Sequence, residues 1–283
     1  MPVEPHGGRL VDRMLRGPEL ERRQADFAEL PQLEIDVDAA YDTVQIADGA
    51  YSPLEGFHGR DELESVGARS RLLNDLPWSI PIFLAPSASS AAPVIAAAKP
   101  GEEIGLVHPP SGLRAILTLA EKFPWNRDTL AQQVYATTRA DHPNVADLAQ
   151  MGATAVGGKI RLVQGMRRPS DFPELSPAEA REAFAARGWK HVAAYQCRNP
   201  PHTAHEYLQR LTLEREDVDG LFIHPVVGRL KKGDYKPEII VAAYRALVQA
   251  YYPESRVMLG ALSITMRYAG PRAALFLAIV RKN

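Results

Sequence analysis

One short segment of the chain collects side chains that bind oxyanions. Within ten residues it supplies two carboxamides, a guanidinium and two imidazoles: Gln196, Arg198, Asn199, His202 and His205. A guanidinium can hold a tetrahedral oxyanion through two parallel N–H donors. Two histidines three residues apart share one face of a helix, so both can donate hydrogen bonds to adjacent phosphate oxygens. The segment therefore predicts a site for oxyanions and phosphates.

The neighbouring residues predict the turn that holds this segment. Residues 191–196 form a short apolar stretch typical of a buried strand, and Pro200 and Pro201 favour the start of a helix. We expect that helix to begin near His202 and to continue through Leu213. Its first turn would present unpaired backbone N–H groups and the positive end of a dipole, which attract anions.

The same residues allow two other interpretations. Taken singly, each histidine is a surface residue and Arg198 is a solvated charge. Alternatively, His202 and His205 bind zinc, as two histidines one turn apart can do. Glu206 is the obvious further ligand nearby, and Arg198 would repel the cation.

Strand and helix signals alternate through the second part of the chain. Ser176, Pro177 and Glu179 form a capping box that predicts a helix to about Ala186. Such alternation implies a parallel sheet with right-handed crossovers, and ligands then lie at the carboxyl ends of the strands. The other predicted elements are strands at 191–196, 220–224 and 256–262 and helices at 236–251 and 270–281.

The first part of the chain, to about residue 165, is predicted to be mainly β, a compact barrel with a few helices. Prolines and glycines interrupt its short apolar runs. The proline-bearing stretch 168–173 predicts a linker, so we expect two domains, 1–168 and 169–283. Strands are predicted at 79–84, 104–107 and 113–119, and helices at 18–30 and 128–135.

Composition excludes several classes of partner. The 283 residues carry 33 basic and 34 acidic side chains, a net charge of -1, so no overall basic field attracts nucleic acid or a membrane surface. Cys197 is the single cysteine, which excludes an intramolecular disulfide and fits a reducing compartment. The sequence lacks an apolar run of about 18 residues and a secretory signal, so we expect a cytoplasmic protein.

The oxyanion segment resembles a loop of the ATP sulfurylase (sulfate adenylyltransferase) family. That loop reads Gly-Trp, an apolar strand, Gln-Thr-Arg-Asn-Pro and then His-x-x-His-Glu, which residues 188–206 follow closely. The resemblance extends over nearly the whole chain. Its other stretches are 5–11 (PHGGRLV), 50–57 (AYSPLEGF), 223–228 (IHPVVG) with 232–234 (KGD), 266–272 (MRYAGPR) and 279–283 (IVRKN).

The resemblance implies an α/β protein: a PUA-like mainly-β domain followed by a Rossmann-like, doubly wound nucleotidyltransferase domain. It implies that ATP and sulfate give adenosine 5′-phosphosulfate and pyrophosphate, in either direction. Mg²⁺ enters as Mg-ATP, with no covalent cofactor and no nucleic-acid or membrane partner, and family members commonly form homo-oligomers. By position, Gln196 and Arg198 would hold sulfate, and His202 and His205 would stabilise charge on the phosphates. Cys197, Arg198 and Asn199 occupy the family's active-site tripeptide.

The chain also departs from the family pattern. Cys197 stands in place of threonine, Ala273 in place of glutamate and Leu277 in place of histidine. We interpret Cys197 as a near-isosteric replacement; the alternative is a nucleophile activated by Arg198 and the histidines. The basic loop at 228–234 suits phosphate contact, or else is simply solvated.

The chain stops at Asn283, before the family's Gly-Arg-Asp-His-Ala segment. We therefore expect a partial chain whose last helix, 273–280, exposes apolar surface. Two alternative functions remain open: a degenerate relative that binds nucleotide or oxyanion without turnover, and a nucleotidyltransferase that uses another acceptor.

Overall fold

The computed structural model describes residues 3–88, 90–167, 172–229 and 233–283. The chain forms two compact units, which we call the β unit (Pro5–Arg167 and Arg267–Asn283) and the α/β unit (Met1–Glu4 and Arg168–Met266). The predicted linker lies partly outside the described residues, and the domain boundary at 168/169 stays a prediction. In the described part of the chain, no helix combines the length and apolar character needed to cross a membrane.

Ten α-helices and eight strands are described. The helices are α1 Gly17–Asp26, α2 Val37–Ala47, α3 Arg60–Arg69, α4 Ala91–Ala97, α5 Arg127–Tyr135, α6 Pro143–Gln150, α7 Pro177–Ala186, α8 Thr203–Leu213, α9 Pro237–Tyr251 and α10 Pro271–Lys282. The strands are β1 Gln32–Glu34, β2 Gly56–Phe57, β3 Glu103–His108, β4 Leu113–Pro124, β5 Thr154–Gln164, β6 Val192–Tyr195, β7 Gly220–Ile223 and β8 Val257–Leu259.

The β unit is built on a five-stranded sheet in the order β1-β3-β4-β5-β2. β1 runs parallel to β3, and the other neighbours are antiparallel. The described strands thus form an open sheet, in which β1 and β2 are the two edges, and not the predicted barrel. The predictions of β3, β4, α1 and α5 are confirmed, whereas the strand predicted at 79–84 is wrong: within it only Leu84 pairs, in an isolated bridge to Val156.

Helix α10 packs in the core of the β unit. Its Phe276 meets Tyr51 and Trp78 edge to face, with ring centroids 5.1 and 5.6 Å away. Phe276, Leu277, Ile279 and Val280 are all buried. The β unit thus covers the larger apolar face of this helix, and the expected exposed apolar surface is limited to Ala274, Leu275 and Ala278, of which Leu275 is 42% exposed.

Three of the family-like stretches meet at the end of α10. The Asn283 side-chain amide donates to the carbonyls of Ala50 and Ser52, each at 3.0 Å, and accepts from the backbone N–H of His6 at 2.7 Å. Arg267 forms a buried ion pair with Asp42 at 2.7 Å. These stretches therefore serve the packing of the β unit.

The α/β unit contains three parallel strands in the order β6-β7-β8. Successive residues of β7 face opposite sides of this sheet. Leu221 and Ile223 share a core cluster with Tyr244 of α9, whereas Phe222 packs against Phe184 of α7. Helices on both faces confirm the doubly wound prediction, and the α7 capping box forms as predicted.

Candidate active site

The candidate site lies beyond the carboxyl ends of the three parallel strands, where the chain continues as closely packed loops. The backbone N–H of Val226 donates to the carbonyl of Cys197 at 2.8 Å, and that of Val227 donates to Leu262 at 2.9 Å. At Gly228, a Cβ atom would lie 2.1 Å from the backbone oxygen of Ile264. This distance is too short for any side chain, so only glycine fits where these two loops meet.

Two histidines occupy the start of α8. His202 is the N-cap residue, and its Nδ1 accepts a hydrogen bond from the backbone N–H of Ala204 at 3.3 Å. The rings of His202 and His205 stack with centroids 3.8 Å apart, and Tyr195 meets His205 edge-on at 5.9 Å. The structure thus brings the two predicted imidazoles together at a helix N-terminus, where anions are favoured.

The environment of His205 favours its neutral form. Burial lowers the pKa of this imidazole below its ordinary value, and the neighbouring His202 lowers it further. The carbonyl of Pro200 opposes both effects without reversing them. At neutral pH His205 is therefore a neutral imidazole, and its single N–H can be donated either to the Pro200 carbonyl or to an anionic ligand that displaces it.

Arg198 reaches across to a carboxylate on another segment of the α/β unit. Its Nη1 lies 3.4 Å from Oδ2 of Asp234, and the two side chains are 30% and 9% exposed. Sequence reasoning did not assign a role to Asp234, although the residue belongs to the family-like stretch 232–234. Of the predicted basic loop 228–234, residues 230–232 lie outside the described residues.

The remaining predicted residues divide between solvent and core. Gln196 and Asn199 are exposed in the turn between β6 and α8. Cys197 is half-buried and packs against the core cluster beneath the sheet, with its thiol beside the hydroxyl of Tyr244. Burial is the main cause that raises the pKa of the Tyr244 hydroxyl, and the neighbouring Cys197 thiol is the second. The inward thiol favours the near-isosteric interpretation of Cys197 over the nucleophile.

The described residues do not form a metal centre of their own. Among them, no group of three or more histidine, cysteine or carboxylate side chains is arranged to hold a metal ion. His202 and His205 thus gain no third ligand in the described ranges, and Glu206 lies 3.4 Å from Arg210 instead.

A parallel α/β unit with imidazoles and a guanidinium after its strands defines a nucleotide-binding protein. Family models agree: an ATP-sulfurylase model matches residues 173–283, and a PUA-like domain model matches 3–165. The sulfate adenylyltransferase of Aeropyrum pernix is 43% identical over 100% of this chain and 73% of its own length. That of Symbiobacterium thermophilum is 42% identical over 99% and 70%. The chain belongs to the ATP sulfurylase family.

A solved structure also resembles the chain throughout. It is described as a hexameric APS kinase from Thiobacillus denitrificans, with a TM-score of 0.76 and 26% identity. The match covers 100% of this chain and 51% of that one. The likeness supports the nucleotide-binding α/β fold of the second unit.

Proposed function

We propose that this chain is a sulfate adenylyltransferase, which converts ATP and sulfate into adenosine 5′-phosphosulfate and pyrophosphate and can run in either direction. The family supplies the reaction. The observation that supports this reaction for this chain is the pair of stacked imidazoles at the first turn of α8, with Arg198 four residues before His202 and seven before His205. This turn offers donors for both an acceptor oxyanion and a triphosphate.

The proposed chemistry is a direct displacement. An oxygen of sulfate attacks the α-phosphorus of ATP and forms an S–O–P bridge, while the bond to the bridging oxygen of the β-phosphate breaks. The electron pair of that bond leaves with pyrophosphate, and Mg²⁺ enters and leaves with the phosphates as part of the substrate. Sulfate is a weak nucleophile, so catalysis depends on positioning and on stabilising charge.

Each site residue has a proposed role in that displacement. Gln196 and Arg198 hold and orient the sulfate, and Asn199 contacts the phosphates from the same turn. His202 and His205 donate hydrogen bonds where negative charge grows on the departing pyrophosphate. Cys197 supports the turn from below through its packing on the core of the α/β unit.

We also propose a domain organisation, a compartment and an oligomeric state for this protein. The sequence domains are 1–168 and 169–283, with the boundary between the ranges that the two family models match. The protein acts in the cytoplasm, where its single cysteine stays reduced. It works as a homo-oligomer.

Acceptor-dependent release of pyrophosphate tests the function. Purified protein is incubated with ATP and Mg²⁺, with sulfate, with molybdate or with neither. We expect release with either anion and its loss in Arg198→Ala. Arg215→Ala is the matched control, because Arg215 belongs to the same unit and forms an exposed ion pair with Asp217, at 2.8 Å, on the surface. Equal release without any acceptor would refute the assignment, and binding of ATP without release would support the degenerate alternative.

A further inference from the structure

Asp234 is a carboxylate turned inward from a surface segment. Its neighbours Gly233, Tyr235 and Lys236 are exposed, whereas its own side chain is only 9% exposed. Carboxylates are rarely buried unless a charged partner compensates them. Arg198 is such a partner here, with its Nη1 3.4 Å from the Asp234 carboxylate although the two residues are 36 apart in sequence.

The backbone before Asp234 is specialised for this direction. Gly233 has a φ of +97°, a conformation that side chains of L-residues rarely adopt. No atom lies within 4 Å of the position its Cβ would take, so glycine is required here by the backbone and not by packing. The turn therefore aims the following carboxylate at the loop after β6.

We propose that Asp234 is a positioning residue for Arg198, and that it fixes the guanidinium in the orientation that receives the acceptor oxyanion. This inference rests on the proposed function, in which Arg198 holds sulfate. An arginine side chain has several rotatable bonds, and a fixed partner reduces the freedom that is lost when an anion binds. The carboxylate cannot attract sulfate itself, since both are negative, so its contribution is orientation.

Two substitutions of Asp234 distinguish the effect of its negative charge from the effect of its hydrogen bond to Arg198. Asp234→Asn keeps an acceptor oxygen for Arg198 and removes a negative charge near the anion. Asp234→Ala removes both. A pair that served only folding would affect both substrates alike, whereas a positioning pair affects the acceptor.

The experiment measures kcat and separate KM values for ATP and sulfate. For Asp234→Ala we expect the KM for sulfate to rise about tenfold, with the KM for ATP within about twofold of wild type. For Asp234→Asn the KM for sulfate stays within about threefold of wild type. Gly233→Ala displaces the carboxylate without deleting it and gives an intermediate rise. Asp217→Ala, which breaks an exposed ion pair in the same unit, changes neither KM.

The inference is overturned if Asp234→Ala leaves the KM for sulfate unchanged, or raises both KM values equally. A second measurement separates it from the proposed function. If the wild type releases no acceptor-dependent pyrophosphate, the proposed function fails, and sulfate is then titrated calorimetrically with a non-hydrolysable ATP analogue present. Weaker binding by Asp234→Ala than by Asp234→Asn still supports positioning, and absence of sulfate binding by the wild type overturns it.

Discussion

The stacked imidazoles of His202 and His205 limit how much positive charge the start of α8 can carry. Their ring centroids are 3.8 Å apart, and two cations at that distance would repel each other. The lowered pKa of His205 agrees with this constraint. The pair is therefore suited to donating hydrogen bonds to phosphate oxygens and is poorly suited to transferring protons.

Removal of one imidazole should slow turnover more than it weakens binding. For His205→Ala we expect kcat to fall about 100-fold, because a donor aimed at developing charge is lost, with a small change in the KM for sulfate. Steady-state kinetics of pyrophosphate release check this. His191→Ala is the control, since His191 belongs to the same unit and its side chain is 72% exposed. A fall of similar size in the control would contradict the assigned role.

His58 gives the β unit a separate dependence on pH. It is 4% exposed, and its Nδ1 accepts from the backbone N–H of Ile82 at 3.3 Å. Burial lowers its pKa to about 3, so below an unfolded-state pKa of about 6.5 only the unfolded chain takes up the proton. Its stabilising contribution is complete above about pH 6.5 and declines as the pH falls toward 3.

His58→Asn should remove that dependence, because the amide oxygen can replace Nδ1 as an acceptor and does not titrate. Between pH 6.5 and 5, wild type should lose about 2 kcal/mol of unfolding free energy relative to the variant. Burial raises the pKa of Asp42 to about 6, which acts in the opposite direction but is common to both proteins. Urea unfolding at several pH values measures the difference, and parallel curves would show that His58 is not the cause.

At the scale of elements, the sequence signals were strongest in the α/β unit. Ser176 and Glu179 mark the start of α7, and Pro201 and Pro237 mark helix starts that the structure places within two residues. The β unit gave weaker signals. Helices α2, α3, α4 and α6 were not predicted, and neither were strands β1, β2 and β5. The apolar run 79–84 is buried without regular pairing, and Pro81 within it lacks an N–H.

The loops below the candidate site should tolerate no added side chain at Gly228. For Gly228→Ala we expect a loss of about 1–3 kcal/mol of unfolding free energy, because its Cβ would overlap the backbone of Ile264. Turnover should fall as well, since the loop that contains Gly228 is hydrogen-bonded through Val226 to Cys197, the neighbour of Arg198. Gly165→Ala is the control, because no atom lies within 4 Å of the added Cβ. Equal effects in both variants would mean that crowding at Gly228 is unimportant.

At the scale of the whole molecule, local sequence patterns predict helices and strands but do not predict which distant residues contact them. The alternation of strand and helix signals predicted a helix at 270–281, and that helix is confirmed as α10. A pattern does not reveal which residues cover a face, so the packing of α10 in the β unit was missed. Asp234 was missed for the same reason, because its importance depends on a contact with Arg198, 36 residues away.

The packing of α10 predicts which unit a mutation there will disturb. Phe276 is 1% exposed between Tyr51 and Trp78, so Phe276→Ala should cost about 3–5 kcal/mol of unfolding free energy. The loss should appear as faster amide hydrogen exchange in β4 and β5, with exchange in β6 and β7 unchanged. Leu275→Ala, on the same helix but 42% exposed, should have little effect. Faster exchange in the strands of the α/β unit would show that α10 stabilises that unit instead.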